Sequence, residues 1–353
     1  MNLGPYGRKY GGNEVVELFV PKRVIFEPAA LDYPLGRHLL VLFREKQVEI
    51  GYTSSHNRVT GIQARTRQQG FREAKRTLVV GVRRGRTFQT CRPSAHFQIP
   101  IATSCPGMCE YCYLMTNLGQ KPYLRVYVNI DEILDTAAKY IKERLPEQTV
   151  FEGSATSDPV PVEPYTGSLA RIISFFAGQE AARFRFVTKF TEVDSLLGLE
   201  HRGHTRFRFS VNAEEVIVEH EHGTPGLDDR LEAAGKVAQA GYPLGFLVAP
   251  VLAGNGWRQE YQRLFEKLGR FCPHPDLTFE FVTHRFTRRA KDTILELFPE
   301  TSLPMDEESR TFKFGQFGYG KYVYPKETLN ELESFFREQV ASRFPGAKFE
   351  YFV

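Results

Sequence analysis

From residue 96 onward the chain alternates short apolar runs with amphipathic stretches. Six runs are dense in Phe, Val and Leu and read as strands: Phe97–Ala102, Thr149–Gly153, Phe184–Thr188, Thr205–Val211, Leu244–Val251 and Leu277–Val282. Helical patterns separate them: Ile130–Arg144, Ser168–Phe176, Val193–Gly198, Leu227–Ala240, Arg258–Phe271 and Arg289–Leu297. Strands alternating with helices make βα units and a parallel sheet. Six units between residues 96 and 300 predict an α/β fold built on a partial (βα)6 barrel, with a two-sided open sheet as the alternative. No repeat of fixed period argues for a solenoid.

The flanks carry different patterns. Residues 1–17 are polar and Gly-rich and are expected to be a flexible N-terminus. Residues 18–95 hold a β-like run, Thr77–Val82, and a basic helical segment, Arg72–Arg76. No low-complexity linker follows, so this region is expected to pack on the barrel. Residues 301–353 form the last region. There Phe312, Phe314, Phe317, Tyr319, Tyr322 and Tyr324 alternate with Gly315, Gly318 and Gly320, predicting a β-hairpin. Leu329–Phe336 reads as the core of a terminal helix.

Composition removes several classes. With 42% hydrophobic and 13% aromatic residues among 353, the chain can bury a core and is not disordered. Its longest apolar stretch, around Phe246–Gly254, is far short of the roughly 18–20 residues that a spanning helix needs. The polar N-terminus has no apolar signal segment, which makes the cytoplasm the expected compartment.

The net charge of +4 hides an asymmetry. Between Arg58 and Arg86 stand nine Lys or Arg (Arg58, Arg65, Arg67, Arg72, Lys75, Arg76, Arg83, Arg84, Arg86) against one acid, Glu73. A basic island on a slightly acidic body points to a polyanion partner, nucleic acid above all, or else to an ordinary solvated face.

Three of the five cysteines fall within eight residues: Cys105, Cys109 and Cys112. In a reducing compartment, clustered thiols read as metal ligands rather than disulfides. They follow the first strand directly, where parallel α/β folds build their sites. Three thiolates can hold three irons of a [4Fe–4S] cluster and leave the fourth iron for an exogenous ligand. Structural zinc would need a fourth ligand, and only His96 on the preceding strand offers one. A Cys109–Cys112 redox pair would leave Cys105 and Tyr111 unexplained. Cys91 and Cys272 are isolated, and nothing in their spacing brings them to the barrel mouth.

The spacing Cys-x3-Cys-x2-Cys, with Tyr111 just before the third Cys, resembles the signature of the radical S-adenosylmethionine (SAM) superfamily. Further runs resemble the spore photoproduct lyase family. They are Phe71–Val82, Lys121–Asn129, Phe186–Lys189, Thr205–Asn212, His284–Thr287 and Gly320–Tyr324. The resemblance extends from about residue 20 to the C-terminus. It implies a carbon–carbon lyase that uses a [4Fe–4S] cluster and SAM to make a 5′-deoxyadenosyl radical. That radical would revert the spore photoproduct, 5-thyminyl-5,6-dihydrothymine, to two thymines. Double-stranded DNA carrying the dimer and a one-electron reductant are the implied partners, and a monomer the implied state.

Matched position by position, the resemblance implies that Cys105, Cys109 and Cys112 bind the cluster. Tyr111 and Tyr113 would lie on the hydrogen-transfer route, with Tyr111 also beside the adenosyl group. Ser157, Lys189, Ser210, Asn212 and Ala249 match SAM-contacting positions. His284, Arg285, Gln316, Phe317 and Lys321 would face the DNA.

Two departures stand out. The family's hydrogen-donating Cys, at the end of the second strand, is replaced by Ala155. A methyl C–H bond is far stronger than S–H, so back-donation from Ala155 would be uphill. At the hairpin tip, the family's Gly-Arg-Tyr-Gly becomes Gly315-Gln316-Phe317-Gly318, which loses a cation and a phenol. These changes leave open a second reading, a radical SAM enzyme of the same kind acting on another lesion. A third is a non-catalytic DNA-binding protein with a structural metal.

Overall fold

The computed structural model describes residues 19–54, 59, 64–119, 121–153, 155–271, 276–314 and 318–353. Six parallel strands stand side by side in chain order: Ala95–Ile99, Thr149–Gly153, Ala182–Thr188, Thr205–Val211, Leu244–Val251 and Leu277–Thr283. They curl into the expected partial barrel.

Period-two alternation decides what faces where. The third strand reads Ala-Arg-Phe-Arg-Phe and the fourth Thr-Arg-Phe-Arg-Phe. Their Phe side chains pack outward: Phe184 stacks on Phe176 of the helix Ser168–Ala177, with ring centroids 5.3 Å apart. Burying each such ring contributes about 1.5–3 kcal/mol. Arg185 and Arg208, on the opposite face, meet Glu152 and Glu280 inside the barrel. Arg208 Nη1 lies 2.7 Å from Glu280, and Arg185 Nε lies 3.6 Å from Glu152. Ser94 donates to Glu152 at 2.6 Å and Tyr351 to Glu280 at 2.7 Å. This set of opposite charges offsets the cost of burying four polar groups.

The helices form for ordinary reasons. Ile130–Arg144 carries Asp131 and Glu132 in its first turn and Lys142 and Arg144 in its last, matching the helix dipole. It buries Ile133, Leu134, Ala137 and Ile141 on one face.

Four elements differ from the sequence expectation. The first strand stops at Ile99, because Pro100 has no N–H to continue the ladder. Val193–Gly198 spans fewer than two helical turns and makes only a 3-10 turn, Asp194–Leu196. The terminal helix is longer, Lys326–Arg343. A further strand, Lys348–Phe352, adds in parallel beyond the sixth.

A second sheet lies in front of the barrel. Glu49–Tyr52, Arg23–Phe26, Thr77–Gly81 and Leu124–Tyr127 run parallel, and Ala102–Thr103 joins the edge antiparallel. Val24, Phe26, Leu39, Phe43, Leu78, Val80 and Val126 make its separate core. This sheet draws strands from both sides of the cysteine loop. The chain therefore leaves the barrel at Pro100, touches the second sheet, and returns at Ser104, which bridges to Ser157. The loop hangs at the seam between the two sheets.

The hairpin pairs Thr311–Phe314 with Gly320–Val323. Its tip, with Gln316 and Phe317, lies outside the described residues, as do Arg58 and Cys272.

Candidate active site

The cysteine loop is pinned at its entry. Ser104 adopts a left-handed backbone, φ 64°, unusual for a residue other than glycine. Three bonds hold it there: its N–H donates to Thr156 O at 2.7 Å, its Oγ donates to Pro122 O at 2.8 Å, and Oγ accepts from Lys75 at 3.4 Å. Further along, Met108–Cys109 pairs antiparallel with Glu221–His222. Gly107 leaves no room for a side chain, since a Cβ there would sit 2.9 Å from Thr224 and 3.6 Å from Cys105 Sγ.

Cys105, Cys109 and Cys112 are all free thiols. Burial pushes the Cys105 thiol up to about 11 and raises Cys109 further, and the charge of Cys112 adds to both. Among the described residues, no three of His, Cys, Asp and Glu converge tightly enough for a single bare metal ion. His96 cannot complete a zinc site, because its Nδ1 accepts from Val150 N at 2.9 Å. It lines a cavity of about 570 Å³ at the N-terminal ends of the strands, away from the cysteine loop.

Opposite the loop stands a buried ionic cluster. Lys189 Nζ donates to Ser210 Oγ at 2.8 Å and to Glu221 at 3.1 Å, and lies 5.7 Å from the Tyr111 ring centroid. Glu221 also accepts from Arg230 at 2.6 Å and from the Tyr111 hydroxyl. Burial opposes the Glu221 charge, but Arg230 and Lys189 outweigh it and bring the carboxyl down to about 2. Asp158 accepts from Lys189 N at 2.8 Å, and burial raises it to about 7. The Ser157 hydroxyl is buried with no hydrogen-bond partner among the described residues. Asn212 bonds Pro250 O at 2.7 Å and Tyr261 at 3.0 Å, and Ala249 is half-buried on the fifth strand.

Beside the loop, Tyr113 donates to the backbone carbonyl of Ala155. Cys91 pairs with Ala95 at the start of the first strand; the Glu152 charge acts on its thiol, and Cys91 acts in turn on the Tyr113 phenol.

Thus Tyr111, Lys189 and Ser210 stand together, while Ser157 meets the cysteine loop through Ser104. Of the residues expected to face DNA, His284 is buried, with Nδ1 3.2 Å from Arg310, and burial pushes it down to about 3. Arg285 is exposed, near Lys321 on the hairpin. Glu221, Arg230 and Asp158 had no motif of their own. The only trace of Glu221 in the sequence is the dense Glu/His run 219–222.

Comparison with known proteins then decides the family. The spore photoproduct lyase family model matches residues 19–353. The spore photoproduct lyase of Bacillus subtilis (strain 168) is 50% identical over 338 residues, covering 95% of this chain and 99% of the relative. The chain belongs to the spore photoproduct lyase family. The Clostridium acetobutylicum lyase is 49% identical over 332 residues, covering 94% of this chain and 98% of its own. A solved spore photoproduct lyase complexed with dinucleoside spore photoproduct superposes with a TM-score of 0.93. It is 50% identical and covers 96% of this chain and 100% of its own. A second family structure has the same TM-score, identity and coverage. It is a double mutant, one Cys changed to Ala and one Ser to Cys, with bound AdoMet and dinucleoside spore photoproduct.

The residues fit the group that the family implies. Three free thiols on one loop, Cys109 buried and Cys105 and Cys112 half-buried, suit a [4Fe–4S] cluster. The unpartnered Ser157 hydroxyl and the Lys189 ammonium suit a polar cofactor such as SAM.

Proposed function

We propose that this chain repairs DNA by reverting the spore photoproduct to two thymines. The observation that carries the reading is the cysteine loop facing the Lys189–Glu221–Tyr111 cluster across the mouth of a lyase-family barrel. Cys105, Cys109 and Cys112 would hold the cluster, and Ser157, Lys189 and Ser210 would orient SAM. Together those groups supply the hydrogen-abstracting 5′-deoxyadenosyl radical. Tyr111, fixed by Glu221, forms one wall of that space.

Ala155 cannot return the final hydrogen, and we assign that step to Cys91. Burial pushes its thiol up to about 12, so the sulfur keeps the hydrogen it must give. In the step, the S–H bond breaks, a C–H bond forms on the thymine radical, and a thiyl is left on Cys91. Tyr113, whose phenol bonds the Ala155 carbonyl, would pass a hydrogen to that thiyl and be left as a phenoxyl radical. A donor at Cys91 removes the main reason for supposing a different lesion.

Anaerobic reconstitution with iron and sulfide, then SAM, dithionite and the dinucleoside lesion, tests the reading. Thymine product with 5′-deoxyadenosine is expected. A chain that binds zinc instead and never cleaves SAM would overturn it.

A further inference from the structure

Lys75 belongs to the basic island, yet it does not face solvent. Only 2% of the residue is exposed. Its ammonium donates to Cys105 O at 3.0 Å and Ser104 Oγ at 3.4 Å, and lies 5.5 Å from the Phe71 ring centroid. Other buried cations here are matched by a carboxylate: Arg125 by Glu27 at 2.9 Å, Arg208 by Glu280 at 2.7 Å, Arg230 by Glu221 at 2.6 Å. Among the described residues, Lys75 donates only to neutral oxygens.

A buried charge without a counter-charge is costly, and folds normally pair it. Three thiolates on a [4Fe–4S] core bring negative charge to this place. Net charge and hydrogen bonds around such a core set its reduction potential.

We propose that Lys75 is the counter-ion of the cluster. It is a positioning residue that anchors the Cys105 end of the loop and holds the cluster's potential up by its fixed charge. A nearby cation favours the more negative, reduced state, which is the state that must be reached before SAM is cleaved. The inference rests on the [4Fe–4S] reading above.

Potentiometric titration of the reconstituted full chain, followed by visible absorbance and electron paramagnetic resonance, tests it. The variants are Lys75→Met, which keeps length and removes charge, and Lys75→Arg, which keeps charge. Lys75→Met should move the midpoint to more negative potential. At the wild-type midpoint its reduced-to-oxidised ratio should fall about tenfold, which is about 59 mV for a one-electron couple. Lys75→Arg should stay close to wild type. If Lys75→Met cannot retain iron while Lys75→Arg can, the counter-ion role is equally supported. An unchanged midpoint in a fully loaded Lys75→Met, or a Lys75→Arg that behaves no better than Lys75→Met, overturns the proposal. Failure of the wild-type chain to take up a [4Fe–4S] cluster would instead sink the reading beneath it.

Discussion

Tyr113 donates its phenolic hydrogen bond to the backbone carbonyl of Ala155, so it occupies the place beside the missing family thiol. Cys91, on the short strand paired with the first, acts electrostatically on the same phenol. If Cys91 is the hydrogen donor, Cys91→Ala should cut the yield of clean thymine about tenfold or more, a barrier change of about 1.4 kcal/mol. Adducts of the unquenched thymine radical should accumulate. Adding Ala155→Cys to Cys91→Ala should restore clean product, because a thiol then stands again beside Tyr113. Chromatographic product ratios decide this, and a Cys91→Ala chain with wild-type ratios would exclude Cys91.

Glu221 is the only carboxylate bonded to both Lys189 and Arg230 among the described residues. Glu221→Gln keeps the shape and removes the charge, leaving two buried cations facing each other. Breaking a buried pair in this way costs about 3–5 kcal/mol. The expected result is a clear loss of urea resistance in the apo chain, together with weaker SAM binding by calorimetry as Lys189 and Tyr111 lose their anchor. Unchanged values for both would mean that the cluster is dispensable.

These residues mark what the sequence could reveal. Thr149–Gly153 and Thr205–Val211 form with the expected bounds because their aromatic positions pack on the helices while the polar side chains between them pair inside the barrel. Lys348–Phe352 escaped notice because an edge strand is half-exposed and its Lys-Phe-Glu-Tyr-Phe pattern is weak. The cysteine spacing identified its loop because cluster ligands must be local. Glu221 and Lys75 were hidden for the opposite reason. A charge looks the same in sequence whether solvated or buried, and only the paired strands Met108–Cys109 and Glu221–His222 bring Glu221 to Tyr111.

Glu163 gives a pH signature away from the cluster. It is buried, and it accepts from Leu169 N at 2.7 Å and Ala170 N at 3.0 Å, yet burial raises its carboxyl to about 7. The folded state therefore holds this proton more tightly than the unfolded chain, whose value is near 4.5. Its stabilisation is complete below about pH 4.5 and is lost as pH rises through about 7. The loss amounts to roughly 3 kcal/mol at most, by the usual 1.36 kcal/mol per pH unit. Glu163→Gln should flatten the urea midpoint between pH 5 and 7 relative to wild type. Parallel curves for the two proteins would show that Glu163 is ionised throughout.

The hairpin brings positive charges together across its two strands. Lys313 and Lys321 are directly opposed across the two strands. Burial, then Arg285 and Lys313, disfavours the Lys321 ammonium. Like charges placed opposite each other weaken a hairpin, so a phosphate docking among them would relieve repulsion as well as form contacts. Around them Phe312, Phe314 and Tyr319 stand 52%, 73% and 58% exposed, ready to stack on bases. Lys321→Ala should thus stabilise the free chain slightly while weakening duplex binding. The slope of log affinity against log salt should fall by about 0.9 for each phosphate contact removed. Phe314→Ala should lower affinity by about 1–3 kcal/mol with the salt slope unchanged, because stacking releases no counterions. Fluorescence anisotropy between 50 and 200 mM salt separates the two effects. If neither substitution alters binding, the DNA lies elsewhere, and the exposed cations Arg65, Arg72, Arg76, Arg84 and Arg86 of the island become the surface to test.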